Sequence, residues 1–266
     1  MLRFEYGPFD HTLPPRGVGT VSCISVDFDV TNPARFQDNR KGTLALLQLA
    51  DQYKMPITWA ICGGSAENDM TSFSAILNSP TRHELAVHTY SHIDATRASR
   101  HEFRADIVRC IQALGLDPPK TFVFPWNREA HFDVLRELGF RTYRGKQRAI
   151  GTPVRNEGLW NVRPVYYVDQ KSQSAASLVQ SYVDLCIGRS AVFHLWTHPW
   201  SLVVDGSAEP MMRTLEGVFK HMARRRDEGV LATHTLGQIA AMLDDEDAPS
   251  PALEERVQQA AQRTPR

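Results

Sequence analysis

Neither charge is in excess in this chain: Lys+Arg and Asp+Glu number 30 each over 266 residues, and the sequence pI is near 7.2. A balanced chain has no global field to draw in nucleic acid or an anionic membrane, so neither is expected as a partner. Cysteine is scarce, with four residues and no CxxC. This excludes a disulfide framework and a paired-cysteine zinc site; Cys23, Cys62, Cys110 and Cys186 sit in apolar contexts such as TVSCISV and WAICGG, which predicts reduced, buried thiols. No apolar run approaches the length of a membrane span. The N-terminal MLRFEYGPFDHTLPPRG is broken by charges and prolines where a secretory signal needs an apolar stretch, and this predicts a cytoplasmic protein. Neither GxGxxG nor GxxxxGK[ST] follows the first apolar segment, which disfavours a dinucleotide or P-loop site, and no internal repeat is found.

What is present is an alternation of strand and helix patterns. TVSCISVDFDV (20–30) is a β-branched apolar run ending on two aspartates. NRKGTLALLQLADQYK (39–54) has Leu44, Leu47 and Ala50 or Asp51 at helical spacing and stops before Pro56. Strands are then predicted at ITWAICGG, HELAVH, KTFVFP and SAVFHLWTH. Helices are predicted near 71–79, 99–115, 131–139, 174–187 and 211–226, while the pattern blurs between 143 and 170. Strands alternating with helices imply parallel βαβ units, hence an α/β barrel or a doubly wound sheet. The expected organisation is a lead-in (1–19), one domain (20–243) and a charged, mobile tail (244–266).

Sites in such folds form at the C-terminal ends of the strands, and the chemistry-bearing residues fall there. HTYSH places His88 and His92 four apart, so on a helix or tight turn both rings share a face and converge on one point. Asp27 and Asp29, two apart on one strand, point to one side; the pair suits one carboxylate on a metal and the other on water. One aspartate with two histidines is an N/O set suited to zinc or a similar divalent ion. It is not the HExxH arrangement, because Thr89 stands where that motif has its glutamate. His198 in HLWTHPW ends another apolar strand with a reference pKa suited to protonating a leaving group, and Leu195 and Trp196 beside it are candidates for an apolar wall. In FVFPWNR, Pro125, Trp126 and Asn127 shape the rim, and the Trp126 N–H is a candidate oxyanion donor.

Taken in order, VDFD, HTYSH preceded by HELAV, FVFPWN and HLWTH resemble the motifs of the NodB-homology polysaccharide deacetylases, carbohydrate esterase family 4, over about residues 20–243. The resemblance implies an irregular (β/α) barrel of seven or eight strands. It also implies a bound divalent metal (zinc first, with cobalt, manganese or nickel as alternatives) and hydrolysis of N-acetyl groups on amino sugars. By order, Asp27 is the base, Asp29, His88 and His92 are the metal ligands, and His198 is the acid. Two departures stand out: Phe28 separates aspartates that are adjacent in the family, and the third motif lacks the arginine that holds the base, leaving Arg128 or Arg163 as substitutes. The expected substrate is an amino sugar or other small N-acyl compound, nucleotide-linked or lipid-linked. The alternatives are an allantoinase-like or deformylase-like C–N hydrolase and a catalytically silent sugar-binding module. Arg224–Arg226 are read as the solvated face of a helix, or else as a contact for a phosphate-bearing substrate.

Overall fold

The computed structural model describes residues 20–116, 119–146 and 150–247. The lead-in and the tail beyond 247 lie outside the described residues. In chain order the elements are β1 (Val21–Phe28), α1 (Phe36–Tyr53), β2 (Thr58–Ile61), α2 (Gly63–Asn68), α3 (Met70–Leu77), β3 (Glu84–Val87), α4 (Arg100–Leu114), β4 (Thr121–Val123) and α5 (Phe132–Glu137). There follow β5 (Thr142–Arg144), β6 (Val154–Asn156), β7 (Leu159–Asn161), β8 (Tyr166–Val168), α6 (Ala176–Ile187), β9 (Val192–Thr197), α7 (Glu209–Asp227), β10 (Ala232–Thr233) and α8 (Leu236–Asp247).

The strands form one curled sheet in the order β6-β7-β5-β4-β3-β2-β1-β9-β8, with β10 added to β1; every pairing is parallel except the β6–β7 hairpin. This is the expected irregular barrel, with more strands because six of its ten, β4 to β8 and β10, are no longer than three residues. Such strands are too short to show a period-2 pattern, which is why 143–170 is unreadable in sequence. Every residue of β1 is buried, as a strand between a filled barrel interior and an outer layer of helices must be.

α1 packs its outer-layer face through Gly42, Thr43, Leu46, Leu47 and Ala50, while Leu44, predicted on the buried stripe, is 45% exposed. The helix ends at Lys54 in the left-handed region, just before Pro56. The glycines of ITWAICGG open α2 rather than close β2. α8 runs to Asp247, so the tail boundary expected at 244 falls inside a helix, and Trp160 Nε1 donates to the Asp244 carboxylate at 2.8 Å. All four cysteines are free and buried, as expected, and burial pushes the Cys110 and Cys186 thiols up to about 12.

Candidate active site

One rim of the barrel, at the C-terminal ends of the strands, gathers the residues in question. Asp27 and Asp29 come from the end of β1, His88 from the residue after β3, Trp126 from the turn after β4, Arg144 from the end of β5, and His198 from the residue after β9. They surround a cleft of about 470 Å³ lined by Asp27, Asp29, His92, Trp126, His198 and Trp200, among others.

HTYSH is a tight turn rather than a helix, with Thr89 and His92 at φ 61° and 59°. Asp106 of α4 holds the turn by accepting the N–H groups of Tyr90 at 2.6 Å and Ser91 at 3.1 Å and the Ser91 hydroxyl at 2.6 Å. Across the cleft Trp126 and Asn127 are also left-handed, at 57° and 53°, so four of the nine described non-glycine residues with positive φ ring this site. Strain of this kind persists only where the surroundings over-determine it, and it collects at functional sites.

Ligand atoms of Asp29, His88 and His92 lie within 4.8 Å of one another. The donor chemistry fits a divalent ion. His88 Nδ1 lies 2.8 Å from the Val123 carbonyl, which can only accept, so the ring is protonated there and Nε2 remains as the ligand atom. Burial, the largest effect, pushes His88 down to about 4, so the ring is neutral as a ligand must be. Asp29 is oriented by Trp200 Nε1, which donates to Oδ1 at 3.3 Å, and its Oδ2 lies 3.4 Å from His92 Nε2. Burial works to raise the Asp29 pKa, but His198, His88 and His92 together outweigh it and hold the carboxyl well below its usual range.

Asp27, 3% exposed, is held by a different arginine from either of those expected. Arg128 pairs with Asp94 on the surface, and Arg163 donates to the Thr152 carbonyl at 2.9 Å. Arg144, fully buried, donates through Nη2 to Asp27 Oδ2. Its Nη1 donates to Ser25 Oγ at 2.9 Å, and its guanidinium carbon lies 4.5 Å from the centroid of the Trp196 ring. Behind it, His194 Nδ1 donates to the Val162 carbonyl at 3.0 Å, which leaves Nε2 to accept the Ser25 hydroxyl at 2.8 Å. A chain of hydrogen bonds through the barrel interior thus fixes the guanidinium. Burial tends to raise the Asp27 pKa, and Arg144 leads the opposing charges that bring it below the ordinary value. Oδ1 of Asp27 is buried with no hydrogen-bond partner among the described residues.

His198 Nε2 stands 3.7 Å from Asp27 Oδ2 and 3.5 Å from Asp29 Oδ2, and its Nδ1 lies 3.1 Å from the Tyr167 hydroxyl of β8. Burial disfavours the imidazolium, but Asp29 and Asp27 outweigh that effect and the pKa is raised. Trp196 lines the cleft, while Leu195 is core. Trp126 is 65% exposed, with its ring centroid 4.7 Å from that of His92. Pro125 is buried at the start of that turn, and Asn127 lines the cleft with its Oδ1 unpartnered among the described residues. Arg224–Arg226 are outside this cleft, and of the three only Arg224 is on the solvated face of the helix, its side chain 60% exposed. Arg225 pairs with Asp184 of α6 at 2.8 Å and Arg226 donates to the Tyr53 carbonyl at 3.0 Å, so they dock α7 onto α6 and the end of α1.

Tyr167, Trp200, Ser25, His194 and Arg144 were not singled out in sequence. For Ser25, Arg144, Tyr167 and His194 the local signal was a polar group on a strand otherwise apolar enough to be buried; Trp200, in the turn after β9, carried none.

Residues 18–143 match the family described as polysaccharide deacetylase, a span that holds both aspartates, HTYSH and the FVFPWN turn. Over that span the chain is similar to the family that its motifs implied. Among curated proteins none matches it. Its fold is shared with a solved Mycobacterium smegmatis protein described as a polysaccharide deacetylase (18% identity, 91% of this chain and 96% of that one, TM-score 0.69). A Pseudomonas aeruginosa protein of the same description is also similar (12% identity, 84% and 90%, TM-score 0.65). So is a pseudoenzyme of carbohydrate esterase family 4 from Bacillus anthracis (11% identity, 85% and 66%, TM-score 0.55). Since the fold also occurs in a pseudoenzyme, activity has to be argued from the site.

Proposed function

We propose that this protein is a metal-dependent deacetylase that hydrolyses the N-acetyl group of an amino sugar or sugar conjugate. The observation that carries this reading is the convergence of Asp29, His88 and His92 within 4.8 Å, with Asp27 and His198 on the same rim. A divalent ion held by those three residues, zinc first, would supply a Lewis acid for the acyl oxygen.

The chain's own residues divide the proton transfers. Asp27 is kept ionised by Arg144 on Oδ2, and its unpartnered Oδ1 accepts the proton of the water that attacks the acyl carbon. His198, whose protonated form is favoured between the two aspartates, gives its proton to the amine nitrogen as the C–N bond breaks. The products are a free amine and acetate. The Trp126 N–H is the candidate donor to the oxyanion. Indole walls from Trp126, Trp196 and Trp200 around a cleft of about 470 Å³ suit a small carbohydrate, whose ring faces are apolar and whose edges are polar. A silent sugar-binding module would have no use for a buried, arginine-held aspartate beside a histidine.

Metal analysis of variants tests the assignment. Purified protein should hold about one divalent ion per chain. Asp29→Asn, His88→Ala and His92→Ala should lose the metal, whereas Asp27→Asn should keep it and lose turnover. Loss of metal from Asp27→Asn with retention in Asp29→Asn would exchange the two aspartates' roles.

A further inference from the structure

The wall of the cleft beside His198 does not end in an apolar platform. Trp200 follows His198 in the turn after β9, and the two ring centroids are 5.1 Å apart. The guanidinium carbon of Arg35 lies 4.0 Å from the centroid of the same indole. Trp200 therefore touches the catalytic imidazole and a cation at once, and its own orientation is set by the hydrogen bond to Asp29.

Arg35 lines the cleft, and among the described residues no carboxylate pairs with it. By contrast Arg40, Arg100, Arg128, Arg144 and Arg225 are each ion-paired. Its backbone is well placed to hold the guanidinium still. Arg35 closes a one-turn 3-10 helix that begins at Pro33, and the Asn32 side chain accepts the Ala34 N–H at 3.0 Å. A guanidinium stacked on an aromatic ring keeps its in-plane N–H donors free for a carboxylate or phosphate.

We propose that Arg35, stacked on Trp200, is a specificity residue that receives an acidic group, carboxylate or phosphate, on the sugar portion of the substrate. The side of the substrate follows from the geometry. His198 meets the departing amine, and Arg35 is one indole ring beyond it, so the acidic group belongs to the amine-bearing product and not to the acyl group. This rests on the deacetylase reading, which sets what His198 meets.

The test compares N-acetylglucosamine with N-acetylglucosamine 6-phosphate and with N-acetylmuramic acid, using wild type, Arg35→Gln and Arg35→Lys. A lost charge-assisted contact should lower the acidic-to-neutral ratio of kcat/KM roughly ten- to a hundredfold in Arg35→Gln, with Arg35→Lys between. A fall for the phosphate alone, or for the carboxylate alone, identifies the group recognised; a ratio unchanged for both overturns the proposal. Calorimetric binding of the two acidic sugars to the same proteins separates this from failure of the deacetylase reading. If no acetate is released from any substrate, acidic sugars that bind wild type and not Arg35→Gln still support the subsite, and equal binding to both proteins refutes it.

Discussion

Arg144 is the residue on which the chemistry of Asp27 depends. A buried carboxylate favours its neutral form unless a charge is supplied, and Arg144 supplies it with both of its Nη groups engaged. Arg144→Leu leaves that carboxylate buried and unpaired, and should cost about 3–5 kcal/mol of stability, read by chemical denaturation. Arg144→Lys keeps a charge but loses the fork that spans Asp27 and Ser25, so it should fold while turning over slowly. In that variant the Asp27 pKa rises, so the acid limb of the kcat/KM profile should move to higher pH; an unmoved limb would detach Arg144 from the base. The aspartates and histidines of the site were legible because polar residues that end apolar strands stand out. Arg144 was not, because its partner lies 117 positions away on β1 and only closure of the sheet brings the two together. The missing arginine of FVFPWN drew attention to Arg128 beside it and to Arg163 in NVRPVYY, and the structure puts Arg128 on Asp94 and Arg163 on the Thr152 carbonyl instead.

At the scale of elements, the position of His198 is set by how closely α1 approaches the turn after β9. A Cβ added at Gly42 would lie 2.0 Å from the Pro199 carbonyl oxygen, and Pro199 immediately follows His198. Gly42→Ala should therefore cost about 1–3 kcal/mol by overpacking and lower kcat through displacement of His198. A melting temperature and kcat equal to wild type would show that the turn gives way freely. The long elements were legible: β1, α1, α4, α6, α7 and β9 have the apolar periodicity of their type. HTYSH was ambiguous because His spacing alone suits a helical turn as well as a loop. What decides it is Asp106, which accepts two backbone N–H groups of the turn from another element. The three-residue strands β5 to β8 gain their order from pairing, which local sequence does not encode.

For the whole molecule, the fold keeps a buried and a half-buried histidine neutral. His194 is pushed down to about 3, by burial first and Arg144 next, and His83 to about 4, by burial, against an ordinary 6.5. Each takes up a proton more readily when unfolded, so the stability they contribute is present above pH 6.5 and is lost as pH falls through that value toward 4 and then 3. Asp27 and Asp29, with lowered pKa values, add to the loss only below the ordinary aspartate value of 3.8. Denaturation midpoints should fall between pH 7.5 and 5; a flat profile would mean that these rings become charged inside the fold. The class of the fold and the rim that holds its chemistry could be read from strand–helix alternation, while the interior hydrogen-bond chain from Val162 to Asp27 could not, since it joins four strands or strand ends. The account as a whole stands on metal-dependent release of acetate. That is measured as acetate liberated from an N-acetylated amino sugar by the zinc-loaded protein, by the same protein after chelation, and by zinc-loaded Asp27→Asn. The account predicts release by the first, loss on chelation with recovery when zinc is restored, and a drop of roughly 10²- to 10⁴-fold in the variant. Release that survives chelation, or that proceeds at the wild-type rate without the Asp27 carboxylate, would contradict it.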